Sequence, residues 1–433
     1  MREVVLNIGK GTTSCMVPED KILYDIHGNP ASVESDIAAA TQKAIRNPIG
    51  TKPLAEIVKA GESVAIIVSD ITRLCGTDKF LPVIVEELAS VGVKDEDITI
   101  VIATGTHRAH TPEEDIVVLG EAMVKRFKII QHNCFDPEEC VEVGVTSFGN
   151  HVKLNKAVVN ADRVILTGAV TIHPMAGFGG GRKAVLPGVA AVDTVFANHC
   201  FAIHPEIGGG ANPACDSGLL KDNPFNEDMI EGCAFLDPDF LVNTVFTPDN
   251  DLHEVVAGHW LKAWEKGCAD LLKIAGIPIQ EQADVVLASS GGFPKDLNLY
   301  QGTKCHMNSI FAVKPGGILI AALECEDMLE PKIFSEQFVR SDMFQFEQDL
   351  RANFTMAGFV AFKSRLIVNS VTAILVTLPQ NFDIVRQCNM IPCATLAEAW
   401  EVAQAKLKEQ GKEDNYTVTI MGHAPSTLPI LSK

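Results

Sequence analysis

Short runs of consecutive hydrophobic residues alternate with stretches of helical periodicity along most of the chain. Residues 63–68 (SVAIIV) and 97–103 (DITIVIA) are continuous apolar runs, as expected for strands that are buried on both faces. Between them, residues 78–92 repeat apolar positions at helical spacing and end on a glycine. Strands that alternate with helices are typical of parallel sheets. The pattern therefore predicts an α/β protein with largely parallel sheets flanked by helices.

The same alternation continues to the end of the chain. Residues 162–167 (DRVILT) predict another strand, and Thr111 with Pro112 predicts a helix start, because threonine caps well and proline suits the first helical position. Residues 253–275 predict a long amphipathic helix. The later part of the chain repeats the plan, with predicted strands at 284–288, 316–322, 373–378 and 416–421 and predicted helices at 299–313, 335–352 and 394–411.

The best candidate for a domain boundary is Gly276-Ile277-Pro278, directly after the predicted long helix. It divides the chain into an N-terminal α/β domain, residues 1–275, and a C-terminal α/β domain, residues 276–433. The tail, residues 423–433 with two prolines, is predicted to be extended and able to return to the first domain. We expect the active site in the cleft between the two domains.

Composition and charge exclude several classes of protein. The chain has 433 residues, of which 47% are hydrophobic, so wholesale disorder is excluded. It has 36 Lys and Arg against 55 Asp and Glu, a net charge of −19, and no contiguous basic stretch that would suit nucleic acid. No apolar run long enough for a membrane span and no signal-peptide pattern is present. The 12 cysteines are scattered, without a CxxC pair, which predicts reduced thiols and a cytoplasmic protein.

Polar residues follow directly on four of the predicted strands. They are Asp70, His107, His173 and the loop Ser290-Gly291-Gly292. In parallel sheets, ligands bind beyond the carboxyl ends of the strands. The sequence therefore predicts a site built from these loops.

A glycine-rich segment follows His173 and ends in two cations: Gly179, Gly180 and Gly181 precede Arg182 and Lys183. Clustered glycines let backbone amides converge on an anion, and the following cation suits a phosphate or carboxylate. The spacing matches neither a phosphate-binding P-loop nor a dinucleotide-binding fingerprint. The competing interpretation is a flexible connector with an exposed lysine.

The candidate histidines each have two interpretations. His107 and His110 have the spacing of a shared metal site if their segment is helical, whereas a loop suits one catalytic histidine. A histidine that simply bonds to the backbone fits equally well. His199, at the end of a helical pattern, is either a structural residue or a metal ligand.

Two further segments combine charged and polar groups. Asp70 and Arg73 are a carboxylate and a guanidinium three residues apart, which suits either ligand binding or a local salt bridge. Tyr300 and Lys304 are four residues apart and share one side of a predicted helix.

Taken together, five motifs resemble the nickel-dependent lactate racemase family: SDITR, TGTHR, HPMAGFGGGRK, FANH and GGFPKDLNLYQGTK. The resemblance covers residues 65–310 by motif, in the same order. It implies a racemase or epimerase that inverts C2 of a 2-hydroxy acid by reversible hydride transfer through a 2-keto acid. It also implies a cofactor, a nickel-pincer nucleotide derived from nicotinic acid, and maturation proteins that supply it.

The resemblance assigns roles to individual residues. Lys183 matches the lysine that tethers the cofactor, and His199 matches the histidine that ligates the nickel. His107 and His173 match the two catalytic histidines. The resemblance also implies residues that line the cofactor and substrate pocket: Asp70, Thr72, Arg73, Gly179, Gly180, Gly181, Tyr300, Gln301 and Lys304. Of these, Arg73 and Lys304 are expected to hold the substrate carboxylate or the cofactor phosphate.

Two departures from the family pattern concern the substrate. The segment after His199 is longer and richer in glycine, and Phe359 occupies a substrate-binding position where the resemblance implies tryptophan. Both predict a 2-hydroxy acid that is larger or more polar than lactate. Two alternatives are an NAD-dependent 2-hydroxy-acid dehydrogenase, for which the fingerprint is missing, and a non-catalytic carrier of the nickel nucleotide, which would not need both His107 and His173. The sequence predicts no oligomeric state.

Overall fold

The structure is a computed structural model that describes residues 1–432; Lys433, the last residue of the predicted tail, lies outside the described residues. The chain forms two compact units. The first unit contains Pro30–Phe201 and Ala214–Leu272, and the second contains Met1–Asn29, Ala202–Pro213 and the chain from Lys273 onward. This division differs from the predicted linear split after residue 275, because two segments from the N-terminal half belong to the second unit.

Strands and helices alternate as the sequence pattern predicts. The strands are β1 Arg2–Ile8, β2 Gly11–Val17, β3 Ile22–Ile26, β4 Val64–Ser69, β5 Ile98–Ala103, β6 Lys128–Gln131, β7 Cys140–Val145, β8 His151–Asn155, β9 Arg163–Val170, β10 Ile172–His173, β11 Gly177–Phe178, β12 Phe240–Phe246, β13 Leu252–Gly258, β14 Gly276–Ile279, β15 Ala283–Ser289, β16 Val313–Ala322, β17 Thr372–Val376, β18 Ile391–Cys393, β19 Val418–Met421 and β20 Leu428–Leu431.

The helices are α1 Ile37–Arg46, α2 Leu54–Ile57, α3 Thr77–Ser90, α4 Pro112–Leu119, α5 Glu121–Arg126, α6 Lys156–Val159, α7 Val192–Cys200, α8 Pro224–Ala234, α9 Trp260–Ala275, α10 Leu299–Ser309, α11 Lys332–Phe338, α12 Met343–Ala352, α13 Met356–Ser370, α14 Phe382–Gln387 and α15 Leu396–Glu409. The α/β class predicted from the sequence is confirmed.

The first unit is built on a six-stranded sheet in the order β13-β12-β9-β4-β5-β6. All neighbours are parallel except β12 and β13. Strands β4 and β5 are almost wholly buried, and their side chains pack with α3 into a continuous apolar core. Because both faces are covered, these strands read as unbroken hydrophobic runs.

The second unit contains a six-stranded parallel sheet in the order β18-β17-β16-β15-β19-β3. Its edge strand β3 comes from the N-terminal segment and pairs with β19. The tail forms β20, which pairs in parallel with β14 of the same unit. The described part of the tail thus lies on the second unit, whereas the sequence suggested a return to the first.

Local structure corrects two predicted helices. The predicted helix over 253–275 begins only at Trp260, because Leu252–Gly258 is a strand that pairs antiparallel with β12. The predicted helix over 335–352 is two helices, α11 and α12, and Asp342 caps the second by accepting the backbone N–H of Gln345. In both cases the apolar residues have helical spacing. The start of α9 is delayed by the pairing of β13 with β12, and the start of α12 is set by its Asp342 cap.

Other expectations are confirmed. Thr111 caps α4 and forms a capping box with Glu114, and Pro112 is the first helical residue. All 12 cysteines are free thiols. Among the described residues no helix is both long and apolar enough to cross a membrane.

Candidate functional site

The carboxyl edge of the first-unit sheet carries most of the predicted site. Strands β4 and β5 align Ser69 with Ala103, so Asp70 and Thr104 leave the sheet side by side. On the other side of β4, the parallel strand β9 ends at Val170 and leads into the loop with His173. The chain order reverses between β4 and β9, and such a switch point forms a crevice where ligands bind in open α/β sheets.

Asp70 and His107 form a close pair after β4 and β5. The Asp70 carboxylate accepts a hydrogen bond from His107 Nδ1 at 2.5 Å and another from Thr72 Oγ1 at 2.7 Å. The Asp70 side chain is only 3% exposed, whereas that of His107 is 44% exposed. Burial alone would raise the pKa of Asp70, but the hydrogen bond and charge of His107 lower it overall. We call Asp70, Arg73 and His107 the exposed arm of the site.

Both ring nitrogens of His110 have partners within the protein, so His110 does not share a metal with His107 in this arrangement. Its Nε2 accepts the backbone N–H of Ile71 at 2.9 Å, and its Nδ1 lies 3.0 Å from Asp115 Oδ1. The segment from His107 to His110 is a loop, so the helical spacing that a shared metal required is absent. His110 instead links the turn of Asp70 to the loop of His107.

His173 is buried in the short hairpin of β10 and β11. Its Nδ1 accepts the backbone N–H of Met175 at 3.3 Å and that of Ala176 at 3.1 Å. Burial lowers the pKa of His173 far below its usual value, and the nearby positive charges of Lys183, Arg73 and Arg182 lower it further.

Lys183 lies one residue after a fully buried arginine. Arg182 donates to the carbonyls of Phe178 at 2.9 Å and Ala176 at 2.8 Å, and its guanidinium stacks on Trp264 at 3.9 Å. Arg182 therefore holds the loop together. Lys183 is partly buried. Burial lowers the pKa of the Lys183 ammonium well below its usual value, and the charges of Arg73 and Arg182 add to the effect.

The three glycines before Arg182 are required by packing. A Cβ on Gly180 would lie 2.6 Å from Asn243 Oδ1, and one on Gly181 would lie 2.5 Å from the Trp264 ring. The amide of Gly179 donates to the Thr171 carbonyl and that of Gly181 to Asn243 Oδ1. Two of the three amides thus bond inside the protein, and close packing is a second reason for glycine at these positions. The convergence of backbone amides on an anion stays a prediction.

His199 lies at the end of α7 beside the ring of Phe225. The two ring centroids are 4.9 Å apart, and the same Phe225 ring lies 6.4 Å from the His173 ring and 5.8 Å from Lys183 Nζ. Burial, followed by the charge of Lys183, lowers the pKa of His199 to about 3, so its ring is neutral at neutral pH. Three predicted site residues thus surround one phenylalanine. We call His173, Lys183 and His199 the buried arm.

The remaining predicted residues fall into two groups. Thr72 and Arg73 are exposed beside Asp70. The others belong to the second unit: Lys304 Nζ donates to Gln301 Oε1 at 2.8 Å within α10, and Tyr300 lies edge-on to Phe334 at 5.3 Å. Phe359, on α13, is buried and stacked on Phe354.

Sequence reasoning missed several residues that build the site. Asn243 supports Gly181 from the middle of β12, and an asparagine within the otherwise mainly apolar run FLVNTVF is a signal that could have found it. Phe225 gave no such signal, because its partners come from distant segments. The bracing role of Arg182 gave none either, because its hydrogen bonds depend on the folded shape of its loop and on distant Asn226. Within residues 1–432, no three His, Cys, Asp or Glu side chains are grouped closely enough to hold a metal ion by themselves.

The fold and site define a class: a two-unit α/β enzyme with parallel sheets and a histidine-rich site at the carboxyl edge of one of them. The profile of the lactate racemase N-terminal domain matches residues 8–210, and that of the lactate racemase C-terminal domain matches residues 279–424. The lactate racemase of Thermoanaerobacterium thermosaccharolyticum is 30% identical over 95% of this chain and 96% of its own length. That of Lactiplantibacillus plantarum is 29% identical over 95% of this chain and 97% of its own.

Two solved structures have a fold similar to that of this chain. The lactate racemase apoprotein from T. thermosaccharolyticum superposes with a TM-score of 0.87 and 28% identity, over 99% of this chain and 100% of that one. A Thermotoga maritima protein shares the fold at a TM-score of 0.65 and 17% identity, over 93% of this chain and 100% of its own. The chain belongs to the lactate racemase family. It is an enzyme of the racemase type, an isomerase.

Proposed function

We propose that the protein inverts C2 of a 2-hydroxy acid by reversible hydride transfer to a nickel-pincer nucleotide, through a 2-keto acid. The observation that carries the proposal is the gathering of His173, Lys183 and His199 around one Phe225 ring in the first unit. A second imidazole, His107, is paired with a carboxylate at the same sheet edge.

The chemistry of the substrate explains why side chains alone are insufficient. The C2–H of a 2-hydroxy acid is a very weak acid, because the adjacent carboxylate is already negative. An imidazole with a pKa of about 6.5 is too weak a base to remove that proton. Loss of the hydrogen as hydride, with removal of the hydroxyl proton, gives a planar 2-keto acid instead. Return of hydride to the opposite face inverts the centre. When bound, the nickel-pincer nucleotide supplies the reversible hydride acceptor.

The residues of the buried arm fit such a cofactor. The lowered pKa of Lys183 favours a neutral amine, which is the form that makes covalent bonds. The lowered pKa of His199 favours neutral imidazole, which is the form that ligates metals. We propose that Lys183 tethers the nucleotide and that His199 is the protein's nickel ligand. The protein then depends on cofactor-maturation proteins to supply the nucleotide.

The other predicted residues bind and exchange protons in this proposal. His107 and His173 exchange the hydroxyl proton of the substrate. Arg73 supplies positive charge for a carboxylate or phosphate, which a chain of net charge −19 otherwise repels. From the family resemblance we assign the same role to Lys304. The residues to which the resemblance gives cofactor contacts are Asp70, Thr72, Gly179, Gly180, Gly181, Tyr300 and Gln301.

We further propose that the substrate is larger or more polar than lactate. The support is the phenylalanine at position 359 and the glycine-rich segment after His199. In the second unit this segment is fixed by Glu347, which accepts the backbone N–H groups of Gly208 and Gly210 at 2.8 Å.

The proposal is tested with protein purified from a host that makes the cofactor, incubated in D₂O with single enantiomers of a 2-hydroxy-acid panel. The panel spans lactate, dicarboxylic hydroxy acids and sugar acids. We expect inversion of one panel member with its C2 protium retained, because the hydride does not exchange with solvent. Inversion with deuterium at C2 would contradict hydride transfer. Absence of inversion across the panel, with cofactor bound, would favour the carrier alternative.

A further inference from the structure

The hydrogen bonds of the two proposed catalytic histidines fix which ring nitrogen of each carries its proton. His107 Nδ1 lies 2.5 Å from an Asp70 oxygen. The lowered pKa of Asp70 makes it an ionised carboxylate, which only accepts hydrogen bonds. The proton of neutral His107 therefore lies on Nδ1, and its Nε2 carries the free electron pair.

His173 has the opposite arrangement. Its Nδ1 receives two backbone N–H groups, those of Met175 and Ala176, and a backbone N–H cannot accept. The electron pair of neutral His173 therefore lies on Nδ1, and its proton lies on Nε2. His173 Nε2 is a hydrogen-bond donor in this structure.

The turn that imposes this state on His173 is braced from several sides. Asn223 Nδ2 donates to the Met175 carbonyl at 2.8 Å, and Arg182 donates to the Ala176 carbonyl at 2.8 Å. His173 also pairs with Gly177 across the β10–β11 hairpin. The two amides cannot turn away from Nδ1 without disturbing these contacts.

We propose that His107 exchanges the substrate's hydroxyl proton directly, whereas His173 does so only after the Met175–Ala176 turn releases its Nδ1. The proposal rests on the proposed function and deepens it. When His107 acts, the substrate O–H bond breaks, an Nε2–H bond forms and the resulting imidazolium is balanced by Asp70. For His173 to accept at Nε2, that nitrogen must first release its proton to solvent and Nδ1 must take one up from solvent, but two amides now donate to Nδ1. The proton of one enantiomer is therefore taken by a histidine that is ready to accept it, and that of the other by a histidine that must first change its tautomer.

The first test needs no cofactor. Long-range ¹H–¹⁵N spectra of the histidine rings of the apoprotein at neutral pH, assigned with His107→Gln and His173→Gln, report which nitrogen is protonated. We expect the proton of His107 on Nδ1 and that of His173 on Nε2. A His173 ring protonated on Nδ1, or the same tautomer in both rings, would overturn the inference. If the His173→Gln protein fails to fold, each of the other 11 histidines is replaced in turn. The ring signal that persists in all 11 variants then belongs to His173.

The second test uses the loaded enzyme and single-turnover formation of 2-keto acid from each enantiomer. In His173→Gln we expect one enantiomer to be oxidised through His107. In His107→Gln the other enantiomer should react about tenfold to a hundredfold more slowly than that, since two backbone hydrogen bonds must break. Equal rates in the two variants would overturn the inference. If the wild type forms no keto acid from any substrate, the proposed function fails, and the spectra still decide the tautomers.

Discussion

The exposed arm and the buried arm of the site handle charge in opposite ways. In the exposed arm the His107 imidazole bonds to the buried carboxylate of Asp70, and that bond lowers the pKa of the carboxyl group. In the buried arm one imidazole and the amine lie near the arginines Arg73 and Arg182, and burial lowers the pKa of both imidazoles and of the amine, which favours their neutral forms. This difference indicates that the exposed arm is suited to proton exchange. The buried arm is suited to holding an anionic group that carries a metal. Four substitutions probe this comparison, from the largest expected effect to the smallest.

Asp70→Asn should remove the stabilisation of protonated His107 and favour the wrong tautomer. We expect kcat/KM of the loaded enzyme to fall by about 10³-fold or more, as for a histidine that loses its orienting carboxylate. Intact mass measures the cofactor load of each variant, so that the rate is compared per molecule of loaded enzyme. Asp115→Asn, which alters the carboxylate beside His110, is the matched control and should have a much smaller effect. An Asp70→Asn enzyme within tenfold of wild type would show that the exposed arm does not exchange the proton.

Arg182→Met should destabilise the first unit, because two carbonyls and the Asn226 amide oxygen lose their donor in a buried place. We expect the free energy of unfolding to fall by about 3 kcal/mol or more, measured by chemical denaturation. Lysine should not restore it, since an ammonium cannot span the three acceptors. Arg108→Met is the control, because exposed Arg108 pairs with Glu114 and donates to the carbonyl of Ala109 at the surface. Equal effects of the two substitutions would contradict the bracing role.

Gly180→Ala tests whether packing fixes the loop of the buried arm. Gly180 has φ +71° and ψ −172°, a conformation that is nearly confined to glycine, whereas Gly149 has φ +81° and open space where a Cβ would lie. We expect Gly149→Ala to destabilise by about 1 kcal/mol from backbone strain alone. Gly180→Ala should lose about 2 kcal/mol or more, because its Cβ also meets Asn243 and the Ala169 carbonyl. Chemical denaturation measures the free energy of unfolding of both variants. Equal losses of free energy in Gly180→Ala and Gly149→Ala would contradict close packing around Gly180.

His110→Ala should have the smallest effect, about a tenfold loss of kcat with little change in KM, because His110 supports the Asp70 turn without contacting substrate. His110→Gln keeps an acceptor for the Ile71 amide and should recover most of the loss. The exposed His151 serves as the control, and His151→Ala should leave the rates unchanged. A glutamine variant that folds and is no better than alanine would argue against the support through Ile71.

Much of the fold follows from local pattern. The strands at 64–69 and 98–103 and the capped start of α4 rest on signals within a few residues, so the sequence predicts them closely. Pairing over long distances is different. Strand β3 completes a sheet whose other members lie beyond residue 280, and Leu252–Gly258 becomes a strand only by pairing with β12.

The site divides in the same way. The arrival of Asp70, His107 and His173 at one sheet edge follows from the strand pattern. The reason for the glycines before Lys183 does not, because the atoms that exclude a side chain come from β12 and α9. Nor can a sequence reveal that two amides fix the tautomer of His173, since that depends on the shape of one turn.

The covalent state of Lys183 tests the central claim most directly. Intact mass spectrometry and peptide mapping of the protein from a host that makes the nickel-pincer nucleotide would measure it, with Lys183→Arg as the control that keeps a positive charge. We predict a nucleotide-sized adduct on the Lys183 peptide of the wild type and none in the variant. An unmodified Lys183 in protein that nevertheless racemises a 2-hydroxy acid would contradict the account.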